Sequence, residues 1–148
     1  LSIHPGPGLS LPAVASLIGA SLASTEARLT RLTRGHLITE HAPGRYVLHD
    51  LLRAYASELC HGVDDGVEVR AARHRLFDHY LQPAHAVDRL LYTQRGDPAT
   101  PPPVQAGVIP ADVREREQAM DWLMAEREAL LAVIDQAART GFERFFRV

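Results

Sequence analysis

The sequence predicts a mainly α-helical protein that begins with a winged helix-turn-helix. Two short helical patterns come first, and a Pro-Gly turn between two β-rich runs follows them. The hydrophobic period then changes at Asp50, from strand-like alternation over 45–48 to helical spacing from Leu51 onward. Helix, helix, hairpin, helix is the order of elements in a winged helix.

Capping residues mark the two short helices. Ser10 is a suitable N-cap for the first helix, and Gly19 suits its C-terminal end. The second helix is predicted to begin near Ser24 and to run to about Arg34, where Gly35 ends it. A winged helix also needs a helix before these two, and only residues 1–3 remain of it. We therefore expect a truncated three-helix core, in a chain that is a piece of a larger protein.

The hairpin is predicted to pair residues 37–40 with 45–48, and everything else regular is expected to be helix. Asp50 is the expected N-cap of the next helix. The apolar face of that helix carries five residues: Leu51, Leu52, Tyr55, Ala56 and Leu59.

The rest of the chain divides into a linker region and a final helical region. A polar linker over 61–66 leads into a long helix over 67–92, in which Pro83 predicts a kink or a split. A proline-rich, extended segment follows over 94–110. Asp112 is the expected cap of the last helix, and Gly141 is expected to end it. The predicted regions are 1–60 (winged helix), 61–110 (helical linker with the extended segment) and 111–148 (helices).

Composition excludes several classes of protein. The 148 residues carry a formal net charge of −2, which argues against a chain dominated by nucleic-acid binding. Cys60 is the single cysteine and suits a reducing compartment, so we expect a cytoplasmic protein. No apolar run approaches the length of a membrane span, and we expect no membrane partner.

One stretch, Leu48-His49-Asp50-Leu51-Leu52-Arg53, joins the predicted hairpin to a helix N-terminus. The free N–H groups and the positive dipole end of a helix favour bound anions, and a histidine adds a titratable donor. This chemistry alone favours the interpretation of His49 as a histidine in a surface loop.

This stretch resembles the MHD motif of the NB-ARC (STAND-type) signal-transduction ATPases, with Leu48 where plant members usually have Met. The family includes plant disease-resistance proteins, apoptotic protease activators and actinobacterial transcriptional regulators. Three segments further resemble regulators of the Streptomyces type: 3–7, 40–46 and 49–56. The resemblance covers most of the chain, strongly over 1–60 and more weakly beyond.

The resemblance implies a nucleotide-switched regulator. The motif histidine, here His49, would contact the β-phosphate of ADP bound to a separate upstream P-loop domain, and Asp50 would cap the helix. The winged helix would close over ADP and hold the inactive state until ATP replaces it. ATP or ADP with Mg would be the cofactor of the longer protein, and this chain alone would hold none. Tetratricopeptide repeats would follow downstream.

Two alternatives from other classes stay open. A winged helix is a common DNA-reading shape, and Arg28, Arg31 and Arg34 on its second helix, with Arg45 beside the wing tip, suit phosphates and guanine edges. However, residues three apart drift around a helix, so the DNA interpretation is not favoured. The second alternative is a scaffold whose helices bind another protein.

Catalytic and metal-binding chemistry is not indicated. The chain contains no Gly-x-x-x-x-Gly-Lys-Ser/Thr and no Gly-x-Gly-x-x-Gly sequence. The eight histidines show no spacing that brings three or four ligands together. Cys60 and His61 are adjacent in sequence, which is not the geometry of a nucleophile and its base. We expect neither an enzyme active site nor a metal site in this chain.

Overall fold

The computed structural model describes residues 1–63, 66–92 and 101–141. Within these ranges the protein has five helices and one small antiparallel sheet of three strands. The predicted fold class is therefore confirmed. The elements in chain order are β1 (Leu9–Ser10), α1 (Leu11–Ile18), α2 (Leu22–Arg34), β2 (Thr39–Ala42), β3 (Arg45–Val47), α3 (Asp50–Val63), α4 (Gly66–Leu91) and α5 (Arg116–Arg139).

The helix-turn-helix forms where the capping residues predict it. The Ser10 hydroxyl accepts a hydrogen bond from the Ala13 N–H, and Gly19 ends α1 in the left-handed region at φ 64°. The Ser21 hydroxyl caps α2 in the same way, two to three residues earlier than predicted. Gly35 follows the last residue of α2, as predicted.

The wing differs from the prediction in strand number and position. β2 and β3 pair as the expected antiparallel hairpin, but β2 lies two residues later than predicted and contains a bulge between Glu40 and Ala42. The two residues of β1 add a third strand on the other side of β3, with Leu9 opposite Tyr46. The prediction of a two-stranded sheet was wrong, because so short a strand has no period of its own and forms only by pairing with β3.

The boundaries of α3 also differ. Asp50 is the first helical residue, and the carbonyl of His49 accepts a hydrogen bond from the Arg53 N–H at 2.8 Å. His49 therefore occupies the N-cap position that we had predicted for Asp50. The helix continues to Val63, into the segment predicted as a polar linker.

α4 confirms the long helix predicted over 67–92, and each of its ends lies one residue earlier than predicted. Pro83 lies inside it, buried, and the helix continues through it. Of the two predicted outcomes, the split does not occur, and the kink stays a prediction. Pro83 has no N–H to donate to the preceding turn, and tertiary packing on both sides of α4 offsets that loss.

The last helix begins later than predicted. α5 starts at Arg116, where the Gln118 side chain accepts a hydrogen bond from the Glu115 N–H. Asp112 lies before the helix and pairs with Arg114 instead of capping, so that prediction was wrong. Gly141, at φ 68°, follows the end of α5 as predicted, and the aromatic segment 142–148 lies outside the described residues.

One hydrophobic core joins all three predicted regions of the chain. It contains side chains from the winged helix, from α4 and from α5. α4 packs against α1 on one side and α5 on the other, and its Phe77 and Tyr80 are fully buried. The winged helix thus shares its interior with the helices that follow it. No described helix is both long enough and apolar enough to cross a membrane.

Candidate functional site

The candidate site lies where the wing passes into α3. Tyr46 of β3 and Leu48, which directly follows β3, are both buried in the core. This anchoring leaves His49 exposed at the start of the helix. One ring nitrogen of His49, Nε2, lies 3.3 Å from the hydroxyl of Thr39 on β2. The ring of His49 thus has one weak polar contact at the surface. The backbone carbonyl of His49 accepts the first hydrogen bond of the helix.

Asp50 supports the start of α3 differently from the prediction. Its exposed carboxylate lies in the first turn of α3. A negative charge there interacts favourably with the positive end of the helix dipole. The same charge would repel a phosphate that came into contact with it. Of the two exposed side chains, that of His49 is therefore the better suited to face an anion.

Arg53 fixes α3 against the N-terminal segment of the chain. Its guanidinium donates to the carbonyl of His4 at 2.7 Å and to the carbonyl of Gly6 at 3.2 Å. These bonds to a charged donor are stronger than bonds between neutral groups. The last residue of the motif is therefore structural, and it determines where the helix start lies.

The apolar face predicted for α3 is only half buried. Leu52 and Ala56 pack against the core. Leu51, Tyr55 and Leu59, which we call the outer stripe, are 82%, 59% and 46% exposed. Their four-residue spacing places them along one side of the helix, and that side is turned away from the core. An exposed run of large apolar side chains is typical of a surface that another structure covers.

The four arginines proposed for DNA do not act as one set. Arg28, Arg31 and Arg34 are exposed on α2. Arg45 instead donates to the Glu126 carboxylate at 2.6 Å, and this bond raises the pKa of its guanidinium. Arg45 thus attaches the wing to α5 and is not available for a phosphate.

Arg45 belongs to a buried chain of hydrogen bonds that sequence reasoning missed. The Tyr80 hydroxyl lies 3.4 Å from the Glu126 carboxylate and 3.1 Å from His4 Nε2, and the Gly6 N–H donates to His4 Nδ1 at 3.0 Å. Burial lowers the pKa of His4 to about 4 and raises that of Tyr80, so both rings stay neutral at physiological pH. The signal in the sequence was Glu126, a carboxylate in the apolar stripe of the last helix.

A second buried histidine holds the segment before α5. His79 Nδ1 lies 2.8 Å from the carbonyl of Ile109 and 3.1 Å from the Ser16 hydroxyl, and that hydroxyl accepts from the Ile109 N–H. Burial lowers the pKa of His79. Gln82 also donates to the carbonyl of Pro102. The proline-rich segment is therefore attached to α1 and α4 where it is described.

Metal ligands do not converge in the described residues. Across 1–63, 66–92 and 101–141, no group of three or more histidine, cysteine, aspartate or glutamate side chains is placed to hold an ion.

Comparison with known proteins gives two related sequences. The chain is 37% identical over 150 aligned residues to the regulatory protein AfsR of Streptomyces griseus, and 34% identical to that of Streptomyces coelicolor. Each match covers 95% of this chain and only 14% of the relative. The chain is related to a segment of a regulatory protein.

The other two comparisons add no further relative. No family model matches the sequence. No solved structure matches it either.

Proposed function

We propose that this chain is the nucleotide-sensing segment of a longer, nucleotide-switched regulatory protein. His49 senses ADP held by an upstream P-loop domain, and the winged helix closes over that nucleotide in the inactive state. The observation that carries the proposal is the position of His49: exposed, at the N-terminus of α3, with Thr39 beside its ring. The relation to a regulatory protein supports the same class of function.

The geometry suits a contact with a phosphate that another domain delivers. The first-turn N–H groups of α3 have no partners within the helix, and such groups favour an anion. His49 can donate a ring N–H to a β-phosphate oxygen from that position. Thr39 is a neutral neighbour that a ring can leave at little cost.

The outer stripe supplies a surface for the same domain. Leu51 begins it only two residues after His49 and is 82% exposed. The upstream domain would cover this stripe when it brings the nucleotide to His49. ATP, with its Mg, would fit this closed arrangement less well than ADP, so ATP would favour the open arrangement. Opening would release the downstream repeats that the resemblance implies.

The nucleotide content of the purified longer protein tests this proposal. The wild-type protein and the variants His49→Ala and His41→Ala are isolated in parallel, denatured, and assayed for released nucleotide by chromatography. His41 is an exposed histidine of the same wing and serves as the matched control. We expect ADP at close to one equivalent in the wild type and in His41→Ala, and a clear loss in His49→Ala. Equal ADP content in all three proteins would contradict the proposal.

A further inference from the structure

One face of α5 packs into the protein, and a second face of the same helix is exposed. The packed face carries five buried residues: Ala119, Glu126, Ala129, Val133 and Ala137. The second face, which we call the α5 seam, carries six exposed residues: Met120, Met124, Arg127, Leu131, Ile134 and Ala138. Met124 and Leu131 are 66% and 58% exposed. Large apolar side chains that follow one another along a surface indicate an interaction site.

The spacing of the α5 seam is that of a contact between two helices. Its members follow one another at intervals of four, three, four, three and four residues. This is the heptad repeat, which keeps apolar side chains on the line along which two helices pack. From Met120 to Ala138 the seam is roughly 27 Å long, which accommodates about five turns of a partner helix.

The two edges of the α5 seam differ in charge. One edge carries four exposed carboxylates: Glu117, Asp121, Glu128 and Asp135. Of these, Asp135 pairs with Arg139 at 2.9 Å. The opposite edge carries the half-buried Leu123 and Leu130. Acidic side chains beside a helix seam favour a partner with basic side chains at the facing positions.

The surface beside the acidic edge has room for such basic side chains. An open groove of about 800 Å³ lies there between α5 and the wing. Met124, Glu128 and Leu131 line the groove on the side of α5, and Val47 lines it on the side of the wing. A lysine or arginine of a helix on the seam has space here to bring its charge to Glu128 while its carbon chain covers apolar surface.

A second copy of this chain does not match the same surface. In an antiparallel pair of α5 helices the two acidic edges would face each other, so Glu128 would approach Glu128 of the other copy. In a parallel pair Arg127 would meet its own counterpart within the seam. Both arrangements bring like charges together, which lowers affinity. The α5 seam is therefore suited to a helix of different charge.

We propose that the α5 seam binds an amphipathic helix of a second protein. That helix has an apolar seam of its own, lysine or arginine side chains along the edge that faces Asp121 and Glu128, and one carboxylate opposite Arg127. The carboxylate pairs with the guanidinium, so the one charge within the α5 seam is neutralised. The interaction does not involve the ADP contact of His49, so either proposal can fail without the other.

The affinities of two synthetic peptides of about 20 residues, long enough to span the seam, test the proposal. Both peptides carry leucine at heptad spacing and one central glutamate. The first has lysine along one edge, and the second has glutamate at the same positions. Fluorescence anisotropy measures their binding to the 148-residue chain and to the longer protein.

We expect both proteins to bind the lysine peptide at least about tenfold more tightly than the glutamate peptide, with a difference that shrinks at high salt. Equal affinity for the two peptides would overturn the proposal. Binding by the 148-residue chain alone would also overturn it, because the longer protein would then cover the α5 seam itself. A concentration-dependent dimer that Leu131→Asn dissociates would assign the seam to a second copy instead.

Variants at exposed positions locate the contact. Leu131→Asn removes an apolar side chain from the α5 seam, and we expect it to weaken binding of the lysine peptide by about tenfold or more. Leu51→Asn, at an 82% exposed leucine of α3, is the matched control and should leave binding unchanged. Glu128→Lys should lower the preference for the lysine peptide several-fold. Unchanged affinity in Leu131→Asn would contradict the assignment, and if that variant does not fold, Met124→Asn replaces it.

Discussion

Single residues attach the wing to the helices behind it. Glu126 accepts from Arg45 and Tyr80 and is only 5% exposed, so three parts of the chain meet at one carboxylate. The N-terminal His4 extends the same connection. None of these residues belongs to the motif, yet together they determine where the wing lies.

Glu126→Gln tests that connection. We expect a loss of about 1–3 kcal/mol in the free energy of unfolding, because Arg45 keeps a neutral partner in place of a charged one. Urea denaturation at pH 7 measures the loss. Glu128→Gln, an exposed neighbour on α5, should change stability by less than about 0.5 kcal/mol. Equal effects of the two substitutions would show that the ion pair contributes nothing specific.

The buried histidines predict a dependence of stability on pH. The pKa of His4 is lowered from 6.5 to about 4 in the folded chain, so the unfolded chain binds more protons between these two values. Stability should therefore be full above pH 6.5 and fall as the pH drops towards 4, by on the order of 3 kcal/mol. The lowered pKa of His79 acts in the same direction.

Comparison of two histidine variants isolates this effect. His4→Gln should flatten the change in unfolding free energy between pH 7 and pH 5. His41→Gln, at an exposed position of the wing, should leave that change as in the wild type. An unchanged slope in His4→Gln would assign the pH dependence to other groups.

At the scale of elements, the bounds of long helices were predicted more accurately than the exposure of their faces. The period of α4 gave its bounds within one residue, because a long helix repeats its pattern many times. β1 was missed because two residues show no period, and its pairing with β3 is set by the fold. Asp112 is of a residue type that caps helices, but its carboxylate forms an ion pair with Arg114, two residues away.

The site shows the same division. The sequence correctly placed His49 between a strand and a helix, because local residue patterns determine where these two elements end and begin. It could not show that the outer stripe stays exposed, because periodicity identifies an apolar face and not what covers it. Nor could it show that Arg45 turns to Glu126, 81 positions away.

The outer stripe yields a prediction for α3. Leu51→Lys should leave the stability of this 148-residue chain within about 0.5 kcal/mol of the wild type, because the side chain is already 82% exposed. Leu52→Lys, which faces the core, should destabilise it clearly. Thermal unfolding of the two variants measures the contrast. A large loss in Leu51→Lys would show that this stripe is packed within the chain itself.

α2 provides the test between nucleotide sensing and DNA reading. Without Arg45, the exposed arginines 28, 31 and 34 spread over roughly a third of the helix circumference. We therefore expect no tight binding of duplex DNA, and no steep loss of affinity between two salt concentrations. Strong, salt-dependent binding that Arg31→Ala weakens would favour the DNA-binding alternative.

The whole molecule is organised around a core that crosses every predicted boundary. Leu17 of α1, Leu76 of α4 and Val133 of α5 are all buried in it. Helices that share one interior unfold together when their contacts are strong enough. The chain should then respond as one unit to whatever its sites bind.

Cooperativity of unfolding tests this organisation. Leu76→Ala lies outside the winged helix. We expect it to lower the free energy of unfolding by about 2–5 kcal/mol and to lower the free energy of opening of the wing by the same amount. Hydrogen exchange, with the Tyr46 amide as a probe of the wing, measures the response. Unchanged protection of the wing in this variant would show that residues 1–60 fold separately.

The central claim is that His49 recognises the ADP state, and the relative affinities for ADP and ATP test it most directly. Both are measured by calorimetry for the longer protein and for its His49→Ala variant. Loss of one hydrogen bond to a charged group predicts a fall of about ten- to a hundredfold in ADP affinity, with a much smaller change for ATP. Such a difference would shift the population towards the active state. Equal losses for both nucleotides, or no loss for either, would contradict the account and make His49 an ordinary surface histidine.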